Sequence, residues 1–308
     1  MNDFHIPPDL VIGPSADLLP LAGEVNWGME KLGLAALRDI SDGAGVVVGV
    51  VDTGVDATHP LLTNLKAAKD FTGSRYGAAD RNGHGTHVTG TAGGTDPRIG
   101  VASGARSVHG KGLSDGGSGT GSMIVGAMEW CAAEGAEVVS MSLGSSGEDR
   151  SITACMRRLA DKGIWVVAAA GNSGGGTPDV DWPGRSEHCI SVAALDSNLA
   201  PASFTNRGAK IDTAGPGVFI WSAKPGGGYQ QMSGTSMATP WVAGFLTCLR
   251  SALKLRGLPV PTVYELRKLL ADRSRDVFQP GDDLRTGPGF PSALLFALGL
   301  TPDPPRVA

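Results

Sequence analysis

Three short segments of this chain set proton-transferring or nucleophilic side chains among glycines. In Val50-Val51-Asp52-Thr53-Gly54-Val55-Asp56 a carboxylate directly follows an apolar, β-branched run. That places Asp52 at the carboxyl end of a buried strand, where α/β sheets carry their sites, although an acid there also serves as a turn former. In Asn82-Gly83-His84-Gly85-Thr86-His87-Val88 two glycines flank His84, so the backbone can come close to other groups. His84 and His87 stand three apart, a spacing that suits a metal pair on a helix, but no third ligand stands at metal spacing. His87 is read as structural. In Ser233-Gly234-Thr235-Ser236-Met237-Ala238-Thr239-Pro240 a serine opens a long apolar helix rich in small residues. Such a serine is a helix cap, or a nucleophile whose developing negative charge is favoured by the helix dipole and free N–H groups.

These segments need elements to position them. Val46–Val51, Glu137–Met141, Ile164–Ala170, Cys189–Ala194 and Gly217–Trp221 read as buried strands. Between them lie helical patterns at Ser122–Ala133, Ser151–Asp161 and Thr235–Leu255. Strands alternating with helices of this length predict βαβ units and an α/β fold with a mostly parallel central sheet. A further helix is expected over Thr262–Arg273, with Thr262 as its N-cap. No repeat or linker divides this region, so it reads as one domain. Residues 1–24 hold four prolines and no helical period, and read as an extended or irregular leader. The tail, Thr301–Ala308, reads as frayed.

Composition narrows the function. The 308 residues carry a net charge of −4, with 41% hydrophobic and 18% charged side chains. That supports a sizeable core and argues against wholesale disorder, a nucleic-acid surface or an anionic-membrane surface. No apolar run is long enough to span a bilayer. The N-terminus lacks the charged and apolar regions of a secretion signal, so a cytoplasmic location is expected unless a longer precursor is trimmed. Cys131, Cys155, Cys189 and Cys248 are scattered and read as free, buried thiols. Glycine stands out at 46 residues, about twice the usual share. No collagen period accompanies it, which leaves tight turns and close backbone approaches.

The order aspartate, histidine, serine, each in a glycine-rich turn, resembles the subtilisin-like serine proteases, the subtilase family. The motifs D-T-G-V-D, N-G-H-G-T-H-V-T-G and G-T-S-M-A-T-P carry the likeness, which spans residues 25–300. It implies the three-layer subtilisin-like fold, with residues 25–308 as a catalytic domain acting on peptides or unfolded proteins and requiring no cofactor. Ser236 would attack the peptide carbonyl, His84 would shuttle the proton and Asp52 would orient the imidazole. Asn172, in Ala170-Gly171-Asn172-Ser173, matches the family's oxyanion asparagine; on its own it reads as a turn residue. Gly117-Ser118-Gly119 and Ser142-Leu143-Gly144 match the two edges that sandwich an extended substrate. Leu113, Ile124 and Leu143 match the apolar pocket for the P4 side chain, or else are plain core. Gly121 falls where many members have a bulky lid, which leaves that pocket open. Two rival readings use the same fold: a catalytically silent peptide-binding module, and an acyl transferase or peptide ligase.

Several positions depart from the family pattern. Asp181, before Trp182-Pro183, aligns with the floor of the P1 pocket, where glycine is common. A carboxylate there would favour Arg or Lys at P1; otherwise it turns to solvent. The Trp182–Pro183 step matches a cis peptide. Leu61 follows His59-Pro60 where secreted members supply a calcium ligand, and the stretch Gly93–Gly100 is short. The tight calcium site is therefore expected to be absent, leaving only weaker cation sites elsewhere. Trp241 replaces a common histidine. In place of a long prodomain stand residues 1–24, whose Phe4-His5-Ile6-Pro7-Pro8 resembles in kind the cleft-blocking extension of intracellular subtilisins.

Overall fold

The computed structural model describes residues 3–6, 11–17, 26–174 and 179–291; the expected frayed tail, Thr301–Ala308, lies outside them. The extension contributes β1 (Phe4–His5) and β2 (Val11–Ala16). Two short helices follow, α1 (Gly28–Lys31) and α2 (Leu34–Arg38). The first half of the domain then runs β3 (Val47–Asp52), β4 (Leu65–Asp70), α3 (His84–Gly93), β5 (Arg106–Lys111), β6 (Ser118–Gly119) and α4 (Gly121–Ala133). The second half runs β7 (Val138–Met141), α5 (Arg150–Asp161), β8 (Trp165–Ala169), β9 (Ile190–Leu195), β10 (Thr213–Pro216), β11 (Ile220–Ala223), β12 (Tyr229–Ser233), α6 (Thr235–Leu255) and α7 (Val263–Arg273).

Seven strands form a parallel sheet in the order β10-β9-β8-β7-β3-β5-β4. Its strands alternate between two buried faces. Val138, Val167 and Val192 pack with Trp241, Phe245 and Leu249 of α6. Val139, Val166 and Ala168 pack with Ile124, Met128, Ile152 and Met156 of α4 and α5. Helices thus cover both faces, which explains why the central strands read as continuous apolar runs. The result is a three-layer α/β architecture, as the resemblance implies.

Two outcomes differ from the sequence reading. The run Gly217–Trp221 was expected to join the parallel sheet. The strand instead spans Ile220–Ala223 and pairs antiparallel with β12, in a separate sheet ordered β11-β12-β2. Phe219, with φ of 55°, breaks the run just before it. Strands β4, β5 and β10, and helix α3, carried too weak a pattern to be read. β5 (RSVHGK) and β4 (LKAAKD) include charged residues, and six of the ten residues of α3 are glycine or threonine.

The cap of α7 forms as expected. Thr262 accepts from the Glu265 N–H, and Glu265 accepts from the Thr262 N–H, closing a capping box. Trp241 is fully buried and packs against Phe290 at 5.2 Å between ring centroids, with Phe245 alongside. Its size serves the core between α6 and the C-terminal segment.

Candidate active site

The carboxyl ends of four neighbouring strands deliver the site. Asp52 ends β3, Lys111 ends β5, Ser142 follows β7, and Asn172 lies three residues past β8. All lie on the carboxyl edge of the parallel sheet, where ligands bind in this class of fold. Residues adjoining the three motifs share one small core. Val50 precedes Asp52 on β3, Val88 lies one turn after His84, and Met237 follows Ser236, all packed together with Ile220 and Met232.

Asp52 and His84 are completely buried, and His84 Nδ1 lies 2.7 Å from Asp52 Oδ1. The Thr53 N–H donates to the same oxygen at 2.7 Å. A carboxylate oxygen only accepts, so Nδ1 carries the proton and Nε2 is left as an acceptor. His84 Nε2 has no partner, nor does the buried Ser236 Oγ. Asn172 has the same one-sided character. Its Oδ1 accepts from the Thr235 N–H at 2.9 Å and from Thr235 Oγ1 at 2.7 Å, which fixes the amide, while Nδ2 is buried and unpartnered. Asp52 Oδ2 is also buried and unpartnered; buried polar atoms are normally satisfied, so a base, a hydroxyl and an amide donor left free in the three motif segments and Asn172 are available to other atoms. Ser236 lies in the first turn of α6, after Gly234, and its carbonyl accepts from Ser142 Oγ at 2.9 Å. This arrangement can deprotonate a hydroxyl and stabilise an oxyanion beside it.

A second set of residues holds the Asp52–Gly54 turn against α3. Asp80 accepts from Thr53 Oγ1, from the Asn82, Gly83 and Thr86 N–H groups and from Thr86 Oγ1. Thr53 Oγ1 accepts in turn from the Gly85 N–H. Gly85 must be glycine, because a Cβ there would sit 2.1 Å from the Gly54 carbonyl oxygen. His109 accepts from the Gly54 N–H at 3.1 Å and meets Thr89 Oγ1 at 2.9 Å. Burial pushes its pKa down to about 4, so it is a neutral strut at neutral pH. The buried Lys111 ammonium donates to the Thr53 carbonyl and to Asp115. Sequence reading missed Asp80, His109 and Lys111. The one available signal was their polarity within segments otherwise destined for burial. His87 is structural as read: Nε2 donates to the Ile220 and Gln230 carbonyls, and burial lowers its pKa to about 3. Among the described residues no group of three or more His, Cys, Asp or Glu could hold a metal.

Residues 117–119 and 142–144, the two expected cleft edges, flank the chain's own N-terminal segment. β1 pairs antiparallel with β6, Phe4 opposite Gly119 and His5 opposite Ser118. On the other side His5 exchanges two backbone hydrogen bonds with Gly144, at 3.1 and 3.0 Å. The Ile6 N–H donates to the Gly117 carbonyl at 3.0 Å. Phe4 is 1% exposed and packs in a cluster with Leu113, Ile124 and Leu143. At Gly121 a Cβ would lie 2.1 Å from the Asp149 carboxylate, which occupies the space beside that glycine. Asp181 lies between Gly144 and Gly171, its Oδ2 3.3 Å and 2.3 Å from where their Cβ atoms would be. Burial raises its pKa to about 6, against the pull of Arg185 and His5. The Trp182–Pro183 peptide is cis. The four cysteines are buried and unpaired, and burial raises each thiol pKa. Among the described residues no helix is long and apolar enough to cross a membrane.

A buried histidine–carboxylate pair, a buried serine hydroxyl and a fixed asparagine amide at the carboxyl edge of such a sheet are the parts that a serine hydrolase uses. Residues 43–289 match the model of the subtilase family. The chain is 38% identical over 253 residues to subtilisin DY of Bacillus licheniformis, covering 80% of this chain and 89% of that protein. It is 39% identical over 227 residues to subtilisin Savinase of Lederbergia lenta, covering 72% and 83%. It is 35% identical over 247 residues to thermitase of Thermoactinomyces vulgaris, covering 77% and 88%. The chain belongs to the subtilase family and is a subtilisin-like serine endopeptidase.

Proposed function

We propose that the protein hydrolyses peptide bonds through an acyl-enzyme on Ser236, with His84 as general base and then acid. Asp52 orients His84, and Asn172 with the Ser236 N–H receives the oxyanion. The observation that carries this is the buried His84–Asp52 bond beside three unpartnered buried atoms, His84 Nε2, Ser236 Oγ and Asn172 Nδ2. Serine is a weak nucleophile at neutral pH and needs that base. The neutral substrate carbonyl gains less from the Asn172 amide than the oxyanion does, so the donor acts on kcat. Ser236→Ala abolishes casein hydrolysis while leaving the fold intact by circular dichroism. Asn172→Ala lowers kcat by about 100- to 1000-fold with KM little changed, a magnitude established in subtilisin itself. Undiminished hydrolysis by either variant contradicts the assignment.

Asp181 forms the floor of the P1 pocket and selects Arg or Lys. Its half-buried carboxyl lies between two glycines of the proposed pocket walls, so an ammonium or guanidinium there replaces water as its partner. With a pKa of about 6 the group is neutral below that pH and charged above it. The ratio of kcat/KM for P1 Arg over P1 Leu therefore rises as pH increases through about 6 and is fully developed near neutrality. Taking the ratio at each pH cancels the titration of the catalytic groups. A ratio independent of pH, or equal to that of Asp181→Gly, overturns the assignment.

The N-terminal extension, residues 1–24, acts as a built-in inhibitor. It occupies both cleft edges by backbone bonds and anchors in the apolar pocket through Phe4. Next in sequence come Pro7 and Pro8, which lack N–H groups and fix φ, a poor bond to present to the nucleophile. Burying a phenylalanine contributes about 1.5–3 kcal/mol, so Phe4→Asp raises the activity of the full chain by roughly tenfold or more on a short peptide. No rise would show that the extension does not inhibit.

The tight calcium site of secreted relatives does not fit these residues. Leu61 packs on Ile99 and Ala223, and both oxygens of Asp96 engage Arg98. Too few free oxygens remain for a cation that takes six to eight. The melting temperature of Ser236→Ala stays the same with and without EDTA; a large fall would reinstate a structural calcium.

A further inference from the structure

Asn206 lies in the connection from β9 to β10 and is completely buried. Its backbone N–H donates to the Gly171 carbonyl at 3.0 Å, and its Oδ1 accepts from the Ser173 N–H at 2.8 Å. Those two partners stand immediately before and after Asn172. An N–H must meet oxygen, so the Ser173 bond fixes the orientation of the amide and turns Nδ2 the other way. There Nδ2 is buried without a hydrogen-bond partner. Asn206 Nδ2 and Asp181 Oδ2 each lie 2.3 Å from where a Cβ of Gly171 would be. The two groups thus share the space of that missing side chain. Gly171, with φ of 104°, has a backbone that favours glycine in any case.

A buried donor left free beside a half-buried carboxyl is not accounted for by packing. We propose that Asn206 is a positioning residue that joins the Asp181 carboxylate to the oxyanion asparagine: Oδ1 holds the backbone beyond Asn172, and Nδ2 orients Asp181 across Gly171. The inference rests on the readings of Asn172 as oxyanion donor and Asp181 as the P1 floor. A planar amide fixed at one end transmits a pull at the other. A charged Asp181 attracts Nδ2 and so acts on the same side chain that holds Ser173. The charged groups that act on Asp181 are Arg185, which also pairs with Asp179 at 3.5 Å, and His5 of the extension. Of the neighbours that favour its charged form, Asn206 is the one bonded to Gly171 and Ser173.

Two substitutions in the full chain separate the two ends of the side chain. Asn206→Ala removes the acceptor of the Ser173 N–H. The net worth of one hydrogen bond corresponds to a fall in kcat of roughly threefold to tenfold, for P1 Arg and P1 Leu alike. Asn206→Asp keeps an acceptor for Ser173 but sets an acid beside Asp181. With this variant kcat toward P1 Leu stays close to that of the unaltered chain. Like charges disfavour ionisation, so the midpoint of the Arg-over-Leu ratio against pH moves up by about one pH unit or more. Titration of isotope-labelled aspartate carboxyls by NMR in Ser236→Ala reads the same shift with no substrate, Asp181 being assigned by its loss in Asp181→Asn. Should Asn206→Asp fail to fold, Asn206→Ala carries both readings, because loss of the donor also moves the Asp181 titration up. Unchanged kcat in Asn206→Ala overturns the tie to Asn172, and an unshifted Asp181 titration overturns the tie to Asp181. A shifted titration beside a substrate ratio that is flat with pH upholds the tie and counts against the P1 reading alone.

Discussion

Asp52 and His84 are both fully removed from solvent, and that constraint organises the surrounding architecture. A buried carboxylate is tolerable only with bonds that replace water. Asp52 finds them in His84 Nδ1 and the Thr53 N–H, converging on one oxygen. Deleting one partner of such a pair costs about 3–5 kcal/mol, so the pair tolerates no drift between β3 and α3. Asp80, Thr53, His109 and Lys111 prevent that drift, and together they explain why a short loop and a turn contain so many buried polar groups. Two of these polar groups, His109 and Lys111, lie on β5, beside β3 in the sheet. The sheet thus supports the turn as well as positioning it.

The peptide cleft follows a different rule. It is made of backbone edges, and edges bind whatever extended chain reaches them. The chain's own extension covers the two edges, β1 pairing with β6 on one side and with Gly144 on the other. Side-chain selectivity is confined to a few places. The cluster of Leu113, Ile124 and Leu143 takes Phe4, and Asp181 stands apart between Gly144 and Gly171. A site with backbone edges and few selective pockets suits unfolded polypeptide better than a folded surface.

The legible part of this protein was what periodicity or motif carries. The buried runs around Val48, Val139, Val166 and Ile190 read as strands because both sheet faces are covered. α6 and the capping box of α7 were visible for equally local reasons. Asp52, His84 and Ser236 were legible through motif order, and Asn172 through likeness to the family. What could not be read was set by distant contacts. β5 looks too polar to be a buried strand until Lys111 reaches the Thr53 carbonyl and His109 the Gly54 amide. The space beside Gly121 is taken by Asp149, a helix cap 28 residues later, a contact that no local pattern shows. β11 was displaced because Phe219 turns the backbone before the strand begins.

The glycine excess and the extension are two sides of one design problem. Gly117, Gly119 and Gly144 leave backbone open to an extended chain, and the segment that pairs with them is the protein's own Phe4–Ile6. Protection from self-cleavage must then come from what the extension lacks. If Asp181 selects a cation at P1, the first thirty residues offer it none: the first Lys or Arg in the sequence is Lys31, in α1. Ile6 is followed in sequence by Pro7 and Pro8, whose fixed φ and missing N–H further disfavour attack there. An extension bound through its backbone, anchored by Phe4 and free of the preferred residue can occupy the site without being consumed by it.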